Sequence, residues 1–196
     1  GSEDKKARIL AEALTLFSTR GYVATSLADI ARASDISKAG LLHHYSSKDQ
    51  LLAAVLEERD RRTLSRLPGG DASAEAALDA WVEMVAHNQR HPDGVALYTA
   101  MSAAVIDADH QAHPWFREHL LGAISYLVDA LERGKAMGAV RPGAPSEKIA
   151  RKLVALSDGL QVQWLCSRAD GGADVDMREV MAGMVADVKD RWLIRP

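Results

Sequence analysis

Thiols are almost absent from this chain. A single cysteine, Cys166, among 196 residues excludes an internal disulfide and any zinc site that needs two thiolates from one chain. Long apolar runs are also lacking. None approaches the ~18 residues of a membrane-crossing helix, and no basic-then-apolar leader opens the sequence. The expectation is a cytoplasmic protein that does not enter a membrane. A Gly-rich phosphate loop, a nucleophile elbow and a paired-carboxylate motif are missing too. Neither catalytic residues nor a cofactor are expected. Strict apolar–polar alternation, the mark of strands, is not found. What remains is 47% hydrophobic and 26% charged, too apolar for a disordered chain and long enough for one core or two small ones.

Apolar residues recur at spacings of three and four almost throughout, which predicts an all-α fold. Start signals divide it into about nine helices, at roughly 3–20, 26–33, 37–44, 48–66, 74–90, 93–107, 114–137, 146–168 and 175–194. Ser26 with Asp29, Ser47 with Gln50, and Asp176 with Glu179 each place a cap three residues before a side chain that can bond back. Pro92 and Pro114 stand where a first helical residue loses nothing by lacking its N–H.

The net charge of -3 conceals a split. Residues 1–48 hold seven basic and five acidic side chains, a net of +2, and the rest holds 17 basic and 22 acidic, a net of -5. A mildly basic head on an acidic body fits a head that meets a polyanion.

Within that head, Thr25 to Tyr45 is the most informative stretch. Leu27, Ile30 and Ala31 form the inward face of one short helix, and Ile36 and Leu41 that of the next. Small Ala31 lets two helices cross closely. Asp35 stands where the turn needs positive φ, and Ser37 then caps the second helix. Two helices so joined make a helix-turn-helix, whose second helix can enter a major groove. Lys38 lies in that helix's first turn, where the dipole disfavours a cation unless an anion is near. Thr25 and Ser26 offer hydroxyls and N–H groups suited to a phosphate oxygen. His43, His44 and Tyr45 close the second helix, and Lys48 can reach a phosphate from the other side.

These residues carry a resemblance. Phe17 then Gly21-Tyr22, Thr25-Ser-Leu-Ala-Asp-Ile-Ala31, Ser37-Lys-Ala-Gly-Leu-Leu-His-His-Tyr45 and Ser47-Lys-Asp-Gln-Leu51 resemble, in order and spacing, the DNA-binding region of the tetracycline-repressor (TetR) family. The likeness covers Ala7 to Leu52, about a quarter of the chain. Ala39 replaces a usual glycine, and Leu42 a usual tyrosine that touches the DNA backbone. The resemblance implies a helix-turn-helix domain over 1–47 and a ligand-binding and dimerisation domain over 48–196. It implies phosphate contacts at Thr25, Lys38, His44 and Lys48, and groove-facing positions at Ser37, Gly40 and His43. The function implied is a ligand-responsive regulator, most often a repressor, that binds a pseudo-palindromic double-stranded operator as a homodimer.

The body carries large side chains at helical spacing. Trp81, Met84, Tyr98, Met101, Trp115, Phe116 and Trp164 could fill a core or line a cavity for a small apolar or amphipathic effector, with His119 and Gln161 as polar anchors. Leu153, Leu156 and Leu160 form one stripe, and Val180, Met181, Met184, Val188 and Trp192 another; both are expected at a symmetric dimer interface. His87 and His91, or His110, His113 and His119, could cluster around a metal, but Pro92 and Pro114 put two of them at helix boundaries where histidines are usually solvated. A helical sequestering protein without DNA binding, or a metal-dependent enzyme, stand as alternatives.

Overall fold

The computed structural model describes residues 2–169, 171 and 175–194. Among them lie nine α-helices: α1 (Ser2–Arg20), α2 (Leu27–Ala33), α3 (Lys38–His44), α4 (Lys48–Leu64), α5 (Ala74–Gln89), α6 (Pro92–Ala104), α7 (His113–Ala136), α8 (Ser146–Ala169) and α9 (Met177–Trp192). The all-α expectation holds, and each expected helix is present with ends displaced by three residues at most. Among the described residues, extended pairing is limited to an isolated antiparallel bridge between Val140 and Leu193.

The caps explain several boundaries. Ser26, Ser73 and Asp176 each accept a hydrogen bond from the backbone N–H three residues on, opening α2, α5 and α9. Ser47 caps α4 by accepting from Gln50 N–H at 3.1 Å. The expected return bond from Gln50 falls one residue early: its Oε1 accepts from the backbone N–H and the hydroxyl of Ser46. Pro92 is the first residue of α6, whereas Pro114 is the second of α7.

The chain divides into two compact units, residues 1–62 with 91–116, and 63–90 with 117–196. This differs from the expected boundary after residue 47, and the reason is hydrophobic. In the first unit α1 buries Ile9, Ala13 and Phe17, spaced by four. The same core takes in Ile30, Ala31 and Leu41 of α2 and α3, Leu51, Leu52, Val55 and Leu56 of α4, and Leu97, Tyr98 and Met101 of α6. At about 1.5–3 kcal/mol for each large apolar side chain withdrawn from water, α4 and α6 are as much part of this core as the helix-turn-helix.

In the second unit α9 packs on α5 and α8. Met177, Met181 and Val185 supply its buried face. The one buried indole N–H on α5 is satisfied: Trp81 donates to Ser157 Oγ at 3.1 Å, and Ser157 donates on to Leu153 O. The end of α7 turns sharply. Ala139 N–H and Val140 N–H both donate to Gly134 O, which folds Val140 back over Gly134. A Cβ on Gly134 would collide with Val140 Cγ2 and press on Ala74 Cβ at 3.1 Å. Arg141 N–H and Ile194 N–H then bond Trp192 O and Ala139 O, tying the chain after α9 to this turn.

Gly134→Ala is expected to lower unfolding free energy by about 1–3 kcal/mol through overpacking. Gly143→Ala, where a Cβ meets open space, should leave it within about half a kcal/mol. Urea unfolding of the two variants checks this.

Candidate nucleic-acid interface

α2 and α3 are joined by a turn with no slack. Ser34 N–H donates to Ile30 O at 2.9 Å, Asp35 N–H to Arg32 O at 3.2 Å and Ile36 N–H to Ala31 O at 3.0 Å. Asp35 has φ of 53°, the left-handed conformation read from its place in the sequence. Ala31 is buried at the contact, where a larger side chain would force the helices apart. Ser37 Oγ accepts from Gly40 N–H at 3.0 Å and so opens α3. A Cβ on Gly40 would sit 3.2 Å from that oxygen, so this half-buried glycine keeps room for the cap.

The first helix of the pair is held by a reciprocal cap. Asp29 N–H donates to Ser26 Oγ at 3.1 Å, while Ser26 N–H and its hydroxyl donate to Asp29 Oδ2 at 3.1 and 2.6 Å. Arg32 reaches Asp29 Oδ1 at 2.5 Å. The hydrogen bonds from Ser26, and then the charges of Arg32 and Arg20, hold the Asp29 carboxyl below the usual carboxylate range.

On α3, Leu41 is fully buried, and Lys38, Ala39, Leu42 and His43 form the exposed face. His44 is half-buried and meets His43 edge-on, ring centroids 5.7 Å apart. Among the described residues no hydrogen bond or ion pair engages Lys38, which opens α3 at the positive end of its dipole.

Three expected contacts take a different place. Thr25 is buried, and its hydroxyl donates to Gly21 O at 2.8 Å and Leu16 O at 3.2 Å. It secures the chain leaving α1 and does not present an oxygen outward. Lys48 turns inward: its Nζ lies 2.9, 3.5 and 3.1 Å from the carbonyls of Tyr22, Val23 and Thr25, and 4.4 Å from the Tyr22 ring centre. Tyr45 caps α3 through its N–H to Leu41 O and packs half-buried against the core. Burial, then the charges of Glu3, Glu57 and Glu58, push its phenol pKa up. Tyr22, part of the Gly21-Tyr22 pair but not among the expected site residues, takes part as well. Its hydroxyl donates to Asp49, and its ring packs on Phe17 with centroids 5.3 Å apart. Its pKa is raised by burial and by that carboxylate.

Elsewhere the expected effector residues fall in two groups. Tyr98, Met101, Trp115 and Phe116 belong to the first unit. Tyr98 stacks on Phe116 at 5.0 Å, Trp115 meets Phe116 edge-on at 4.9 Å, and the Arg59 guanidinium lies 4.6 Å from the Tyr98 ring centre. Trp81, Met84, Gln161 and Trp164 are buried in the second unit, and His119 is half-buried there. Two histidines of the candidate metal cluster spend ring nitrogens on the backbone: His110 Nδ1 accepts from Ala112 N–H at 3.1 Å, and His113 Nδ1 lies 2.6 Å from Val105 O.

The expected interface stripes also divide. Leu153, Leu160 and Met181 are buried within the chain, because these faces of α8 and α9 are already covered by packing inside the unit. Val180 and Met184 are 45% and 37% exposed, and so is Val162 of α8, at 48%. Leu156, Val188 and Trp192 are half-buried. Met184, Val188 and Trp192 line a cleft of about 260 Å³ between α8 and α9. Among the described residues no helix is long and apolar enough to cross a membrane.

The model of bacterial regulatory proteins of the tetR family matches residues 9–55, the span from α1 through the start of α4. An HTH-type transcriptional repressor of Mycobacterium tuberculosis is 42% identical over 82 residues, 40% of this chain and 43% of that protein. The chain thus aligns with less than half the length of that curated relative. The HTH-type transcriptional repressor AcnR of Corynebacterium diphtheriae is 23% identical over 93% of this chain and 90% of its own. A crystal structure of a TetR transcriptional regulator from Chloroflexus aurantiacus superposes with a TM-score of 0.80 at 20% identity, covering 98% of both chains.

Leu41→Ala is expected to cost about 2–5 kcal/mol of stability and Leu42→Ala about half a kcal/mol or less, compared by chemical denaturation. Ser26→Ala removes a cap worth about 1 kcal/mol. The lowered Asp29 pKa means its share is present above the ordinary carboxylate range and is lost as pH falls from there through the lowered value. The advantage of the unmutated chain over Ser26→Ala therefore shrinks on acidification, which urea midpoints measured at neutral and acid pH would display.

Proposed function

From the match of residues 9–55 to the model of bacterial regulatory proteins of the tetR family, we propose that the chain is a TetR-family, non-enzymatic transcriptional repressor that binds an operator as a homodimer and leaves it when a small, largely apolar effector binds. The observation that carries this reading is the outer face of α3. A capped, buried helix-turn-helix holds Lys38, Ala39, Leu42 and His43 outward, with a cation at the helix end that favours an anion. Lys38 would sit on a phosphate, His43 on a base edge and Leu42 against a thymine methyl.

The dimer would form through the outer faces of α8 and α9, where Val162, Val180 and Met184 are exposed. A two-fold axis would then present two α3 helices to successive major grooves, roughly 34 Å apart. Effector binding shifts this arrangement only by its difference in affinity for the two states, typically about 1–3 kcal/mol. Within the first unit, a displacement of Tyr98 would act on α4 through Arg59, which lies on its ring.

Selection of bound duplexes from a random pool, and mobility shifts with genomic fragments that include the gene's own upstream region, test the reading. Recovery of a pseudo-palindrome is expected; no retained duplex would favour the sequestering alternative. With a recovered duplex, Lys38→Ala should flatten the slope of log affinity against log salt by about 0.9. His43 substitution should change sequence preference more than overall affinity. Light scattering at micromolar concentration should give a dimer mass, and Val180→Asp with Met184→Asp should shift it to monomer.

A further inference from the structure

The helix-turn-helix is a loop of chain whose two ends meet. It leaves α1 at Gly21, passes through α2 and α3, and rejoins the body at the start of α4. At that neck the Lys48 ammonium is held by the carbonyls of Tyr22, Val23 and Thr25 and by the face of the Tyr22 ring. The next residue, Asp49, accepts the Tyr22 hydroxyl. Both partners of this double tie lie more than 20 residues apart in sequence. An ammonium has three donors, and here each has a carbonyl to point at. A phosphate would have to take one away.

We infer that Lys48 is a positioning residue: with Tyr22 and Asp49 it clamps the neck of the helix-turn-helix and so fixes the pose in which α3 is presented, and it does not hold a phosphate. The inference rests on the DNA-binding reading above and deepens it. A guanidinium cannot replace the ammonium, because its flat fork does not fit a triangle of carbonyls. Arginine is nonetheless an excellent phosphate ligand. The two roles therefore respond oppositely to Lys48→Arg.

The experiment uses the full chain, Lys48→Ala and Lys48→Arg, with a labelled duplex recovered from the random pool and a scrambled version of it. Affinities are measured over a salt series, at a temperature where circular dichroism shows every variant folded. Hydrogen exchange of residues 22–25 is followed without DNA. In both variants exchange at 22–25 should quicken. Affinity for the recovered duplex should fall roughly tenfold, the size of one charge-assisted hydrogen bond, with a smaller loss on the scrambled duplex and an unchanged salt slope. The inference is overturned if Lys48→Arg binds like the unmutated chain while Lys48→Ala loses about 0.9 of salt slope on both duplexes, the signature of a phosphate contact. Unchanged exchange at 22–25, or quickened exchange with both affinities intact, overturns it equally. Should Lys48→Ala fail to fold, Tyr22→Phe removes only the bond to Asp49 and is read the same way. If the unmutated chain recovers no duplex, the DNA-binding reading and the positioning role that rests on it both fall. If Lys38→Ala alters the slope and Lys48 behaves as a phosphate ligand, only this inference falls.

Discussion

Two helices of seven residues each cannot stand by themselves in water, where isolated helices need about 12–15 residues to be even marginal. Everything that α3 can present outward depends on what α2 and α3 bury. Ile30, Ala31 and Leu41 enter a core built by α1, α4 and α6, and their withdrawal from water supplies what helix propensity lacks. The caps at Ser26 and Ser37 then fix where each helix begins. This is why the core of the first unit extends well beyond the reading head: three short segments do not enclose enough apolar area.

The same constraint recruits polar residues. A tight neck leaves carbonyls facing inward, and each must find a donor. Thr25 and Lys48 meet that need. Ser26 is engaged with Asp29. The polar surface left on α3 is therefore smaller than the count of basic and hydroxyl residues in this stretch implies.

Periodicity and caps made the helices legible, and a non-glycine residue in the turn made Asp35 legible. Direction was harder to read. Lys48 stands at a helix start, and sequence spacing does not say whether a four-carbon stem lies over solvent or over a loop 25 residues earlier. Thr25 looks outward in a one-dimensional reading because it precedes a helix, yet the preceding turn closes over it. Tyr98 and Trp81 both read as buried, which they are, but burial does not name the neighbour, and they lie in different units. On α8 and α9 the strongest stripe, with Leu153 and Met181, belongs to the chain's own core. The faces available to another subunit carry the weaker signal of Val162, Val180 and Met184.

The placement of Lys38 has one more implication. In the free chain the first turn of α3 carries a positive charge against the helix dipole, a small internal conflict that a glutamate in its place would relieve. On the proposed function the duplex resolves it, so the nucleic acid acts as the missing half of the helix. Drift toward a sturdier free protein would then favour losing this lysine, and only a requirement to engage DNA opposes that drift.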